Sequence, residues 1–247
     1  MQPTYEIDLQ DGYARWSATY DQERNGLIEA EEPRVAALAD RIGLIGAALD
    51  VAAGTGRFAL RWARAGATVV ALDQSEAMLA VARAKAQAEG LPITFSVHPI
   101  EAPLPFPSDT FDLVSCGLAL CHVAELAAVV QEMGRVLRPG GHLLLTDFHP
   151  EAVARGWRTE FAQEDAIYYL PTVGHTRQQY LEAIQAAGCP VMHVEDLLLR
   201  DAPPDSFPAH VDVDRLFQES GDQHFGLIIL GRKELLTERG ARHDDGA

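Results

Sequence analysis

Only three cysteines, Cys116, Cys121 and Cys189, occur among 247 residues, and no two of them form a Cys-x-x-Cys pair. That scarcity excludes a disulfide framework and the thiolate zinc sites, whose ligands come in close pairs, so free thiols and no metal are expected. Cations are also few: 20 Lys and Arg stand against 36 Asp and Glu, a formal net charge of −16. So acidic a surface repels nucleic-acid phosphates and anionic lipid, which argues against tRNA, rRNA, DNA or a membrane as partner. No uninterrupted apolar run reaches the roughly 18 residues that span a bilayer. Met1 to Gln10 lack the charged-then-apolar order of a secretory leader, so the cytoplasm is the expected compartment. What the chain does have is 47% hydrophobic residues, ordinary for a globular protein with a sizeable core. One domain over residues 1–235 is expected, and the tail 236–247, above all Arg239 to Ala247, reads as disordered.

The most informative stretch is Leu49-Asp50-Val51-Ala52-Ala53-Gly54-Thr55-Gly56, an apolar strand that ends in an acid and a glycine turn. Gly54 and Gly56 let the backbone turn tightly against a ligand, and a helix starting near Arg57 would aim its free N–H groups at it. A second strand, Val69 to Leu72, ends at Asp73, about 19 residues after Gly54, where a carboxylate can accept two hydrogen bonds from a ribose diol. Together they predict a nucleoside site. Gly54-x-Gly56-x-x-Ala59 also fits the alanine-ending dinucleotide fingerprint, so a nicotinamide-dependent oxidoreductase is a live alternative. Asp50 separates the two readings, because a carboxylate there repels a pyrophosphate but suits an ammonium and a sulfonium.

Strand and helix patterns alternate along the chain, which predicts a parallel sheet with helices on both faces. Strands are expected at 47–51, 68–72, 93–97, 111–116, 142–146, 191–194 and 225–230. Helices are expected at 13–23, 31–41, 56–65, 75–89 and 123–137, with a late one opened by a capping box at Thr176 and Gln179. In such sheets ligands sit beyond the carboxyl ends of the strands, which singles out Asp50, Asp73, Cys116 to Leu118 and Asp147 to His149.

The glycine turn resembles the first motif of the class I S-adenosylmethionine-dependent methyltransferases of the small-molecule, UbiE-like type, and Val70 to Leu79 resembles their second. Leu104-Pro105-Phe106-Pro107, Phe111-Asp112-Leu113-Val114 and Leu137-Arg138-Pro139-Gly140-Gly141 follow in that family's order, and the likeness covers roughly residues 10–190. The resemblance implies a Rossmann-like, doubly wound, mostly parallel seven-stranded sheet with an antiparallel last strand. It further implies S-adenosyl-L-methionine as cosubstrate and a small-molecule acceptor. Asp50 and the Gly54 backbone would hold its methionine end, Asp73 its ribose, and Gln74, Met78, Ile100 and Glu101 its adenine; Ala52, Gly56 and Arg57 are further expected cofactor contacts. Cys116 and Leu118 would border it, and Tyr20 would close over it from an N-terminal lid at 1–45. Two departures stand out. Ala52 replaces a first glycine, which is tolerated if its φ is negative, and His98-Pro99-Ile100-Glu101 replaces the usual Gly-Asp-Ala.

Methyl transfer from a sulfonium asks for in-line positioning, and for a base if the acceptor must lose a proton. His149 and His122 are the base candidates by position, His149 being held extended by the following Pro150; His175 is a third. Segments 148–175 and 198–223 read as substrate-side insertions, and Trp157, Phe161, Tyr168 and Tyr169 suggest either an acceptor with apolar surface or the packing of an inserted helix. With no unmistakable base, a non-catalytic protein that binds S-adenosylmethionine or S-adenosylhomocysteine is a further alternative.

Overall fold

The computed structural model describes residues 3–43, 46–207 and 212–235. The tail 236–247 and part of the 198–223 insertion lie outside the described residues. Seven strands form the main sheet: β2 (Ala47–Val51), β3 (Thr68–Asp73), β4 (Ile93–Val97), β5 (Phe111–Gly117), β6 (Leu137–Phe148), β9 (Val191–Leu198) and β10 (His224–Arg232). Their order is β4-β3-β2-β5-β6-β10-β9, parallel except that β10 runs antiparallel to both neighbours. β2 and β5 are almost continuously buried, because helices cover both faces of the sheet. The covering helices are α2 (Gly26–Ile42), α3 (Arg57–Arg64), α4 (Glu76–Glu89), α5 (Leu126–Val136) and α7 (Arg177–Ala186). Chain order reverses between β2 and β5, and the crevice beyond their carboxyl ends is where such sheets bind ligands.

Local signals explain the helix boundaries. Asn25 Oδ1 accepts from the backbone N–H groups of Leu27 and Ile28 and starts α2, five residues before the pattern-based boundary; Pro33 lies inside the helix without ending it. Ser75 caps α4, Gly90 ends it in the left-handed conformation at φ 66°, and the Thr176–Gln179 capping box is present at α7. The first leading helix is shorter than its periodicity suggests: α1 spans Leu9–Trp16, and Ser17 to Asn25 turn without continuing it.

The inserted segment is not an inserted helix. After the short α6 (Pro150–Ala154), strands β7 (Glu160–Gln163) and β8 (Ala166–Tyr169) form a hairpin, and β1 (Thr4–Glu6) adds in parallel to β8 as a small second sheet. Glu164, at φ 55°, makes the turn. Two aromatics of the segment pack on the lid: Trp16 stacks on Phe161 at 5.2 Å between ring centroids, and Phe161 on Tyr168 at 5.3 Å, whereas Trp157 packs against Phe225. That stack anchors α1 over the carboxyl edge of the main sheet. α8 (Val213–Ser220) completes the described elements.

Candidate active site

The glycine turn is built from three left-handed residues: Ala52 at φ 55°, Gly54 at 55° and Gly56 at 87°. Gly54 and Gly56 adopt this conformation freely. The condition under which Ala52 would be tolerated, a negative φ, is not met, and an alanine methyl must be carried where a side chain is unfavourable. Ala52→Gly is therefore expected to stabilise the ligand-free protein by about 0.5–1 kcal/mol, the relief of strain less the entropy a glycine adds to the unfolded chain. Urea unfolding reads this as a higher midpoint; a lower one would show that Ala52 packing outweighs the strain.

Asp50 and Asp73 stand at adjacent strand ends. Asp50 is 1% exposed; it accepts from Ser115 Oγ at 2.8 Å and from the Ala59 backbone N–H at 2.9 Å. Burial is the largest influence on its carboxyl and lifts its pKa to about 7, against those two hydrogen bonds and nearby Arg57, which favour the charged form. Asp73 accepts from the Gly54 and Ser75 backbone N–H groups, each at 2.8 Å, so it clamps the glycine turn to the start of α4. One hydrogen bond falls on each of its oxygens, which leaves acceptor capacity for a diol.

Two adjoining cavities open along this edge. The larger, of about 450 Å³, runs past Asp50, Ala52, Gly54, Thr55 and Arg57 toward the start of α2. Arg57 is ion-paired there to Glu31 and Glu32. The smaller, of about 120 Å³, is lined by Asp73, Gln74, Met78, Ile100, Glu101 and His122, among others. Tyr20, Ala52, Gly54, Gly117 and Leu118 border both. The turn and the candidate ribose, adenine and lid residues thus converge on one cleft. Gly56 lines neither cavity; it packs against Ala82, where an added Cβ would come within 3.0 Å. Cys116 does not face the cleft but is fully buried in the core, because its strand turns toward the ligand edge only at Gly117.

The three histidines part company. His149 is 2% exposed, lines neither cavity and caps α6, its Nδ1 accepting from the Glu151 backbone N–H at 3.2 Å. The proline that keeps it extended also makes it a helix cap, so His149 is removed from the cleft. His175 is buried with its Nε2 2.7 Å from the Val123 carbonyl, a structural position. Of these three, His122 borders the cleft. Its Nδ1 lies 2.6 Å from the Pro171 carbonyl, an acceptor only, so Nδ1 carries the proton and Nε2 presents a lone pair. That lone pair faces the Tyr13 hydroxyl at 2.9 Å. Burial lowers the His122 pKa, which keeps the ring neutral, and raises that of Tyr13 well above its usual value, which keeps the phenol protonated. The pair is a base and a hydroxyl donor aligned on a cavity wall. Asp147, expected as a contact, instead accepts from the Cys121 backbone N–H at 2.7 Å and the Tyr180 hydroxyl at 3.0 Å, fixing the turn that presents His122.

Sequence reasoning did not single out Tyr13, Leu9 and Asp21 as site residues. Tyr13 and Leu9 reach the smaller cavity from α1; Asp21 reaches the larger and joins the lid to the turn through Thr55 Oγ1 at 2.7 Å and Lys85 at 2.7 Å.

A family model described as a methyltransferase domain matches residues 49–145, the stretch from β2 to β6 that carries the cleft. Demethylmenaquinone methyltransferase of Thermus thermophilus is 41% identical over 104 residues, 41% of this chain and 47% of that one. The enzyme of the same name from Clavibacter sepedonicus is 41% identical over 143 residues, 56% of this chain and 58% of that one. The chain thus spans about half the length of these curated relatives. An S-adenosylmethionine-dependent methyltransferase structure from Mesorhizobium loti is 25% identical with a TM-score of 0.62, covering 83% of this chain and 98% of that one.

Proposed function

We propose that this chain is a class I S-adenosylmethionine-dependent methyltransferase that moves the methyl group of S-adenosylmethionine to a small organic acceptor, a reading supported by the methyltransferase-domain match at residues 49–145. The observation that carries the reading is the joint placement of buried Asp50 and Asp73 at neighbouring strand ends around the Gly54 turn. The residues fit the cosubstrate: Asp73 has acceptor capacity for the ribose hydroxyls, Gln74, Met78 and Ile100 supply the adenine walls, and Asp50 offers a buried carboxylate to the ammonium end. When bound, S-adenosylmethionine supplies an electrophilic methyl on a sulfonium. Tyr20 and the lid then exclude water, and His122 Nε2 takes the proton that a hydroxyl, amine or acidic carbon of the acceptor must lose, directly or through Tyr13.

The net charge of −16 supports a small acceptor over a nucleic acid. Three buried free thiols support a reducing compartment, the cytoplasm. Among the described residues no helix is long and apolar enough to cross a membrane. The oxidoreductase alternative is set aside by Asp50 and by antiparallel β10, since the dinucleotide fold has six parallel strands. The His122–Tyr13 pair favours catalysis over mere binding. Transfer of a labelled methyl group to a panel of small phenolic, amine and activated-carbon acceptors tests the reading. Labelled product with matching release of S-adenosylhomocysteine is expected; tight binding without turnover on any acceptor would favour the non-catalytic alternative.

Asp50 gives the binding step a pH signature. In the free protein its carboxyl titrates near pH 7, and a cation beside it favours the ionised form, so binding expels a proton. Affinity for S-adenosylhomocysteine, whose amino end is cationic, is expected to rise with pH up to about 7 and then level. Calorimetry in two buffers of different ionisation enthalpy would show the proton release; no buffer dependence near pH 6.5 would separate Asp50 from the ammonium.

A further inference from the structure

Outside both cavities, the carboxyl end of β6 and the start of β10 bring two imidazoles together. The His149 and His224 ring centroids are 4.5 Å apart. His149 Nε2 and His224 Nδ1 are both buried atoms without a hydrogen-bond partner. Carboxylates stand close to each: Asp196 Oδ1 lies 3.3 Å from His149 Nε2, and Glu151 Oε2 lies 3.2 Å from His224 Nδ1. Both pairs are within contact range, yet neither is aligned as a hydrogen bond. Two orphaned ring nitrogens are costly unless something else satisfies them.

We propose that His149, Glu151 and His224 form a binding site for a divalent transition-metal ion of the zinc type. One donor atom from each of the three lies within 4.8 Å of the others. A tetrahedral ion with bonds of about 2.0–2.2 Å needs its donors closer than this upper bound. The half-exposed side chains of Glu151 and His224, 57% and 38% accessible, can make that approach. Two imidazoles and one carboxylate are a zinc donor set, whereas magnesium and calcium require oxygen ligands, which selects the class of ion. Asp196, held by Arg177 at 2.8 and 3.0 Å, stands beside His149 as a fourth ligand or as the partner that orients it. Coordination through Nε2 puts the His149 proton on Nδ1, so the long 3.2 Å cap from the Glu151 N–H opens. The ion would tie β6, α6 and β10 together at the root of the inserted hairpin. The expectation of no metal rested on cysteine spacing, which says nothing of histidines 75 positions apart (149 and 224).

The test uses the full chain stripped with a chelator, then titrated with zinc chloride in one series and magnesium chloride in another. Calorimetry and thermal melting are expected to show one zinc per chain and a raised melting temperature, with no response to magnesium. His224→Ala and Glu151→Gln, both at half-exposed positions, are each expected to weaken zinc binding at least about tenfold while S-adenosylhomocysteine binding stays as in the parent. Unchanged zinc affinity in His224→Ala, an equal response to magnesium, or no stoichiometric zinc in the parent would each overturn the site.

Discussion

Replacing Asp73 by alanine is expected to weaken S-adenosylhomocysteine binding by about 1.5–3 kcal/mol, roughly tenfold to a hundredfold or more. In the proposed site its carboxylate would do two jobs at once: it would offer charged acceptors to a ribose diol, and through the Gly54 and Ser75 N–H groups it holds the glycine turn in place. The fold is expected to survive, because the strand behind Asp73 is paired on both sides by β2 and β4. Asp73→Asn keeps the shape and loses the charge, so it should fall between parent and alanine. Titration calorimetry on both variants, with melting curves to confirm folding, checks this. An unchanged dissociation constant in Asp73→Ala would remove the residue from the nucleoside site.

The second large effect lies on the acceptor side. His122→Ala is expected to lower methyl transfer at least about a hundredfold, the lower part of the range for general acid–base catalysis, with little change in cofactor affinity. Tyr13→Phe should cost less, because His122 can still take the proton directly. Burial lowers the His122 pKa from its usual 6.5, and a base acts when deprotonated. The rate should therefore rise with pH through a range below 6.5 and stay level above it in the parent, and that rise should vanish in His122→Ala. Normal turnover in the alanine variant would assign the histidine to structure.

The convergence of the candidate cofactor residues on one cleft was legible because their chemistry is written in contiguous sequence. A buried strand, an acid, a glycine turn and a second acid at fixed spacing each leave a local trace, and parallel pairing then brings Asp50 and Asp73 together. The proposed acceptor half is assembled from distant pieces. Tyr13 of α1 meets His122 across 109 positions, and the Pro171 carbonyl that sets the His122 tautomer comes from a third segment. No spacing rule reveals such a meeting. His149 shows the opposite failure: strand end and proline were read correctly, but the same geometry serves equally to cap α6. The inserted aromatics could not be sorted into helix or hairpin by composition. Glu164 turns left-handed without a glycine to announce it, and β8 is held partly by β1 from the far end of the chain.

Calorimetric titration of the purified chain with S-adenosylhomocysteine and, separately, with NAD tests the central claim most directly. The account predicts one S-adenosylhomocysteine bound per chain, a raised melting temperature by mass action, and no heat with NAD at the same concentration. Preferential binding and stabilisation by NAD would contradict it and return the glycine turn to the dinucleotide oxidoreductases.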